Sequence, residues 1–168
     1  MSQNRFAAPA MAVVALLLAG SLPVFLHGQG QGLLNEKVLS LDLALEIAHG
    51  AVAAGHARGQ AVTVVIIDAS GNTKVLLRGD EGGPQMPDVT KRKAFTALAH
   101  RGPSSEQAKI WENQKNPNIG PERVALGGGV PIKVGNEVVG AIGVSGGGAI
   151  IEEECANAAI AKVADKLK

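Results

Sequence analysis

The 168-residue chain contains no tyrosine, one tryptophan, three phenylalanines and one cysteine. Each scarcity closes an option. A single cysteine allows no internal disulfide, so stability must come from core packing or from assembly. Without tyrosine the chain can offer no tyrosinate to a metal. Net charge is scarce as well: 16 Lys and Arg face 15 Asp and Glu, a formal +1, and Arg5 is the only charged side chain before Glu36. Nothing in that balance attracts nucleic acid by bulk charge. Nor does the longest apolar stretch near the N-terminus, Ala12 to Leu26 with Pro23 inside it, match the about 20 residues that a permanent membrane span requires.

That stretch follows a short polar start with one cation, MSQNR, and precedes His27-Gly28-Gln29-Gly30. A secretory signal peptide has this order of regions. Residues 1–30 are therefore expected to be a removed leader, with Gly28 and Gly30 as the small residues at the cleavage site. Residues 31–168 are expected to form one domain, periplasmic or secreted, with no stable membrane span after cleavage. Cys155 is too far along the chain for lipoprotein attachment. It lies among alanines in a helical pattern and reads as a small buried hydrophobe.

Ser40 can cap an Ala-rich helix from Leu41 to about Arg58, on which Asp42, Glu46, His49 and His56 share one polar stripe. AVTVVIID at 61–68 and TKVLLR at 73–78 flank a run of turn formers and predict a hairpin. A loop begins at Gly79. A second helix is expected from Asp88 or Thr90 to His100, and Ser104 with Gln107 suggests a capping box for a third helix containing Trp111. Residues 114–129 read as irregular. The last helix is expected over Ala149–Lys168, with Glu152, Glu153 and Glu154 near its start and lysines near its end.

Glycine, by contrast, is abundant, and three clusters of it fall in GGGVPIKVGNEVVGAIGVSGGG at 127–148. Neither a phosphate-binding G-x-x-x-x-G-K-[ST] nor G-x-G-x-x-G occurs there. Gly143-Val144-Ser145-Gly146-Gly147 fits a nucleophile elbow, but no histidine follows Ser145. A hairpin turning at Gly135-Asn136 explains the stretch better. Gly140 and Gly143 then mark a bulge or the close approach of a backbone or ligand. Gly146 to Gly148 lead into the last helix, whose first N–H groups could attract an anion.

In order along the chain, VVIIDASGN at 64–72, Arg78 with its Gly/Asp-rich loop, Lys93-Ala94-Phe95-Thr96-Ala97, GGVPI at 128–132 and GAIGVSG at 140–146 resemble the GlcG/HbpS family. The resemblance spans Leu39 to the C-terminus. It implies a profilin-like α+β fold, an antiparallel sheet packed with helices, assembled as a homo-oligomer. It also implies a haem-binding protein of transport, storage or redox sensing. Where the family's acidic pair often includes Asp, this chain has Ile150-Ile151-Glu152-Glu153-Glu154.

Haem needs an apolar slot, cations for its propionates and usually an axial ligand. With tyrosinate excluded, His49, His56 or His100 is the expected ligand, although a solvated stripe or a helix C-terminus also accounts for each. Arg78 and Lys93 are the candidate propionate contacts, with Asp80 and Glu153 as neighbours in the same cleft. Two alternatives come from other classes. One is an enzyme on a small organic acid, of the glycolate type, held by Lys93 or Arg78 with Asp80 as base; no catalytic pair has diagnostic spacing. The other is a catalytically silent oligomeric partner.

Overall fold

Ser40 opens the first helix: its backbone is extended and its hydroxyl accepts the Leu43 N–H at 3.2 Å, satisfying one of the free donors of the first turn. The computed structural model describes residues 35–114 and 119–168, so the expected leader at 1–30 lies outside the described residues. Helix α1 runs Leu41–His56. It ends two residues before the expected Arg58, whose guanidinium instead donates to the Ala54 carbonyl at 3.0 Å. Gly59 at φ 69 then reverses the chain.

Strands β1 (Thr63–Asp68) and β2 (Thr73–Leu77) form the expected hairpin. Asp68 shapes its turn by accepting from the Ser70 and Asn72 N–H groups at 3.0 and 2.9 Å. Strands β3 (Gly129–Val134) and β4 (Glu137–Ser145) make a second hairpin. Gly135 takes φ 59 and Asn136 does not share the positive φ, which is the arrangement of a II′ turn. Between Ile132 and Lys133 the register slips, leaving Val139 as an extra residue on β4. All pairings are antiparallel, in the order β2-β1-β4-β3.

Both faces of this sheet are covered. Val64 and Ile66 of β1, with Ile132, Ile142 and Val144, pack toward α1 and α4 (Ala149–Lys162). Their strand neighbours Val65 and Ile67, with Ala141, pack toward α2 (Met86–His100). This period-two division places the larger core on the α1/α4 side. Residues Glu36–Lys168 form one unit around it.

Four expectations need correction. Helix α2 starts at Met86, not at Asp88 or Thr90, because Pro87 in its first turn needs no N–H partner. Helix α3 (Ser104–Glu112) has no capping box: Pro103 precedes it, and the buried Ser104 hydroxyl accepts the Gly129 N–H at 2.8 Å. Helix α4 stops at Lys162 and gives way to a 3₁₀ turn over Ala164–Lys166. The irregular stretch ends at Gly128, since Gly129 already belongs to β3.

The glycine-rich stretch is structural. Gly129 and Gly143 pair across β3 and β4, and a Cβ on either would strike the α2 backbone at the Lys93 or Thr90 carbonyl oxygen. Helix α2 thus rests directly on the sheet backbone.

Candidate functional site

A cleft of 240 Å³ lies between α1 and the chain leaving β2. His49, Val52 and His56 stand three and four residues apart on α1, so they share one helix face. Arg78 and Asp80 line the other side, with Ala61, Val62, Leu77 and Gly79 between. Gly79 is held by its N–H bond to Thr63 Oγ1 at 3.3 Å. A Cβ there would come within 2.9 Å of the Ala61 and Val62 carbonyl oxygens, so glycine lets the loop close against the chain entering β1.

The polar groups of the cleft are exposed at its rim, while Val62 is buried and Val52 and Leu77 half-buried at its wall. No carboxylate lies within ion-pair distance of Arg78 among the described residues, which include every Asp and Glu of the chain. The cleft therefore offers two imidazoles, an unpaired guanidinium, a carboxylate and an apolar wall. Such a set can ligate a metal centre axially and hold an anionic substituent beside it.

The other three candidates lie elsewhere, so the expected single cleft is divided. Lys93 is 4% exposed. Its ammonium sits 2.6 Å from Glu152 Oε2 and donates to the Val144 carbonyl at 3.2 Å. Glu152 Oε1 in turn accepts from the N–H groups of Gly146, Gly147 and Gly148 at 2.9, 3.3 and 3.2 Å. The anion expected at the start of α4 is thus the protein's own Glu152, and Lys93 already has its counterion. Glu153 turns the other way: it accepts from the Ser105 hydroxyl at 3.0 Å and lines a separate cavity with Lys109 and Ile150. His100 lines a third cavity beside Trp111, on the α2 side of the sheet.

Sequence reasoning named the acidic run but not Glu152 as its inward member. The available signal was a Glu one turn after Gly148, yet the helix phase that selects it from its neighbours depends on where α4 begins. The apolar wall of Val52, Val62 and Leu77 was equally unreadable, because it joins three separate elements. Cys155 is fully buried, and that burial pushes its thiol pKa up from 9.0. Among the described residues no group of three His, Cys, Asp or Glu could hold a metal ion, and no helix is long and apolar enough to cross a membrane.

One antiparallel sheet between two helical layers, with a histidine-bearing cleft at its β2 edge, defines the class as α+β. Residues 39–161 match the family described as "Haem degrading protein HbpS-like", and the chain belongs to that family. It is similar to the crystal structure of a double mutant of Streptomyces reticuli HbpS, with 35% identity and a TM-score of 0.75, over 92% of this chain and 99% of that one. Protein GlcG of Escherichia coli strain K12 is 29% identical over 108 residues, 61% of this chain and 81% of that protein. The crystal structure of a PduOC:heme complex shares the fold, with a TM-score of 0.68 at 24% identity over 74% of this chain and 94% of that one.

Proposed function

We propose that this protein binds haem in the cleft between α1 and the loop after β2, as an exported homo-oligomer serving haem transport, storage or redox sensing. The observation that carries this reading is the convergence of His49, His56 and the unpaired Arg78 on one partly apolar cleft. The family's description as haem degrading and HbpS-like supports the ligand.

The donor set fits the group. One imidazole would suffice to hold the iron, and Arg78 would suit a propionate through its bidentate fork. His49 and His56 lie two turns apart, about 10.5 Å along the helix axis, so only one of them serves the iron. Asp80 on the same rim would disfavour a propionate beside it, leaving Arg78 as the residue to hold one. At 240 Å³, the cleft falls below the roughly 300–1,000 Å³ of enclosed small-molecule sites. A cleft of this size would enclose only part of a haem-sized ligand. When bound, haem supplies an iron centre able to change redox state or take up small ligands.

The test is an absorbance titration of the mature protein with hemin. Saturable binding with a Soret shift is expected, lost in one of the two variants His49→Ala and His56→Ala and kept in the other, weakened in Arg78→Ala and retained in His100→Ala. Featureless, non-saturating uptake would reject the reading. Loss of the Soret band when the complex is reduced in air would add degradation, which the family description names.

A further inference from the structure

The cavity that holds His100 lies on the α2/α3 side of the sheet, away from the cleft formed by α1. It measures 130 Å³ and is lined by Thr96, Ala99 and His100 of α2, Gln107 and Trp111 of α3, and Arg123. The Arg123 guanidinium carbon lies 5.7 Å from the centre of the Trp111 ring. This cation–π contact holds the guanidinium beside the ring without using its N–H groups as hydrogen-bond donors.

The backbone at Arg123 is fixed from both sides. Its carbonyl accepts from Arg92 at 2.9 Å, and the next N–H, that of Val124, donates to Thr96 Oγ1 at 3.0 Å. The side chain has no such partner. No carboxylate reaches ion-pair distance of Arg123, although every Asp and Glu lies among the described residues, and its guanidinium makes no hydrogen bond among them. His100 and Gln107 likewise make no side-chain hydrogen bond there. The lining therefore gathers a cation, an imidazole and an amide and contains no carboxylate of its own, those of Glu106 and Glu122 standing outside it.

We propose that this cavity is a second ligand site, for a short-chain carboxylate. The guanidinium edge matches a planar carboxylate bidentately, and His100 and Gln107 supply further donors. The Trp111 ring and the Ala99 methyl face a short hydrocarbon end. The volume equals that of about four waters at roughly 30 Å³ each, which limits the ligand to about two to four carbons.

Trp111 is the only tryptophan of the chain and lines both this cavity and a neighbouring one with Lys109 and Ile119, so its fluorescence responds to a ligand in either and the Arg123 and His100 variants assign the response. The intact protein would be titrated with sodium propionate at constant ionic strength, with chloride and phosphate as comparisons. A saturable change with propionate and none with chloride is expected. Arg123→Lys, which keeps the charge but loses the fork, should weaken the apparent affinity roughly tenfold, and His100→Gln by a smaller factor. Hemin binding should be unchanged in both variants, which also shows them folded and separates this site from the haem cleft. Identical curves for chloride and propionate, saturation by phosphate alone, or an unaltered propionate titration in Arg123→Lys would each overturn the proposal.

Discussion

Lys93 shows how a residue changes meaning when its surroundings appear. In the sequence it is the last of three consecutive cations and a candidate for holding an anionic ligand. In the fold it is buried, paired with Glu152, and Glu152 is bound by three glycine N–H groups. Removing one member of such a pair strands the other charge, so Lys93→Met should destabilise the protein by about 3–5 kcal/mol. The double variant Lys93→Met/Glu152→Gln should cost less than that single change, because the amide oxygen can still accept from the glycines. Urea unfolding measures both, and a Lys93→Met loss within experimental error of zero would show the pair to be dispensable. Cys155 gives a second prediction at this scale. Its thiol should resist alkylation in the native state at mildly alkaline pH and react only on unfolding, because burial disfavours the thiolate. The sign of the linkage follows: the folded state retains the proton longer, so this group's contribution is complete below pH 9.0 and declines as pH rises past that value.

At the scale of elements, the decisive contact is helix α2 against bare sheet backbone. Gly143 was readable as a site of close approach, but the sequence could not say which element approaches, since its partner Thr90 is remote in the chain; Gly129, which meets Lys93 in the same way, carried no such signal. Gly143→Ala should therefore destabilise toward the upper end of the roughly 1–3 kcal/mol typical of overpacking. Gly135→Ala meets no neighbouring atom and should cost only about 1–2 kcal/mol, for its left-handed backbone alone. Equal losses in thermal melts would refute this division. The hairpins and α1 were legible because turn chemistry and the Ser40 cap are local. The α3 start was legible to within a residue, but its cap was not, because the Ser104 hydroxyl satisfies a β3 donor and not its own helix.

For the whole molecule, haem binding should raise stability by mass action, by about 2.7 kcal/mol at a free concentration one hundred times Kd. A calorimetric scan with and without hemin checks this, and an unchanged Tm would count against the cleft. Ile150, 78% exposed, with Ile110 and Leu126 also exposed, supports the proposed oligomer. Sedimentation should give a multiple of the monomer mass, and, for the proposed export, mass spectrometry of the protein recovered outside the cytoplasm should place its N-terminus near residue 31. Order along the chain was enough for the family, the alternation of strands, the hairpin turns and the candidates His49, His56, Arg78 and Asp80. These rest on interactions within a few residues or on motifs in series. Tertiary structure alone decided that these four share a cleft while Lys93, Glu153 and His100 go to three other places. The reason is physical: helix phase and sheet face, set by burial of both sides of one sheet, determine where a side chain ends, and neither is encoded in its near neighbours.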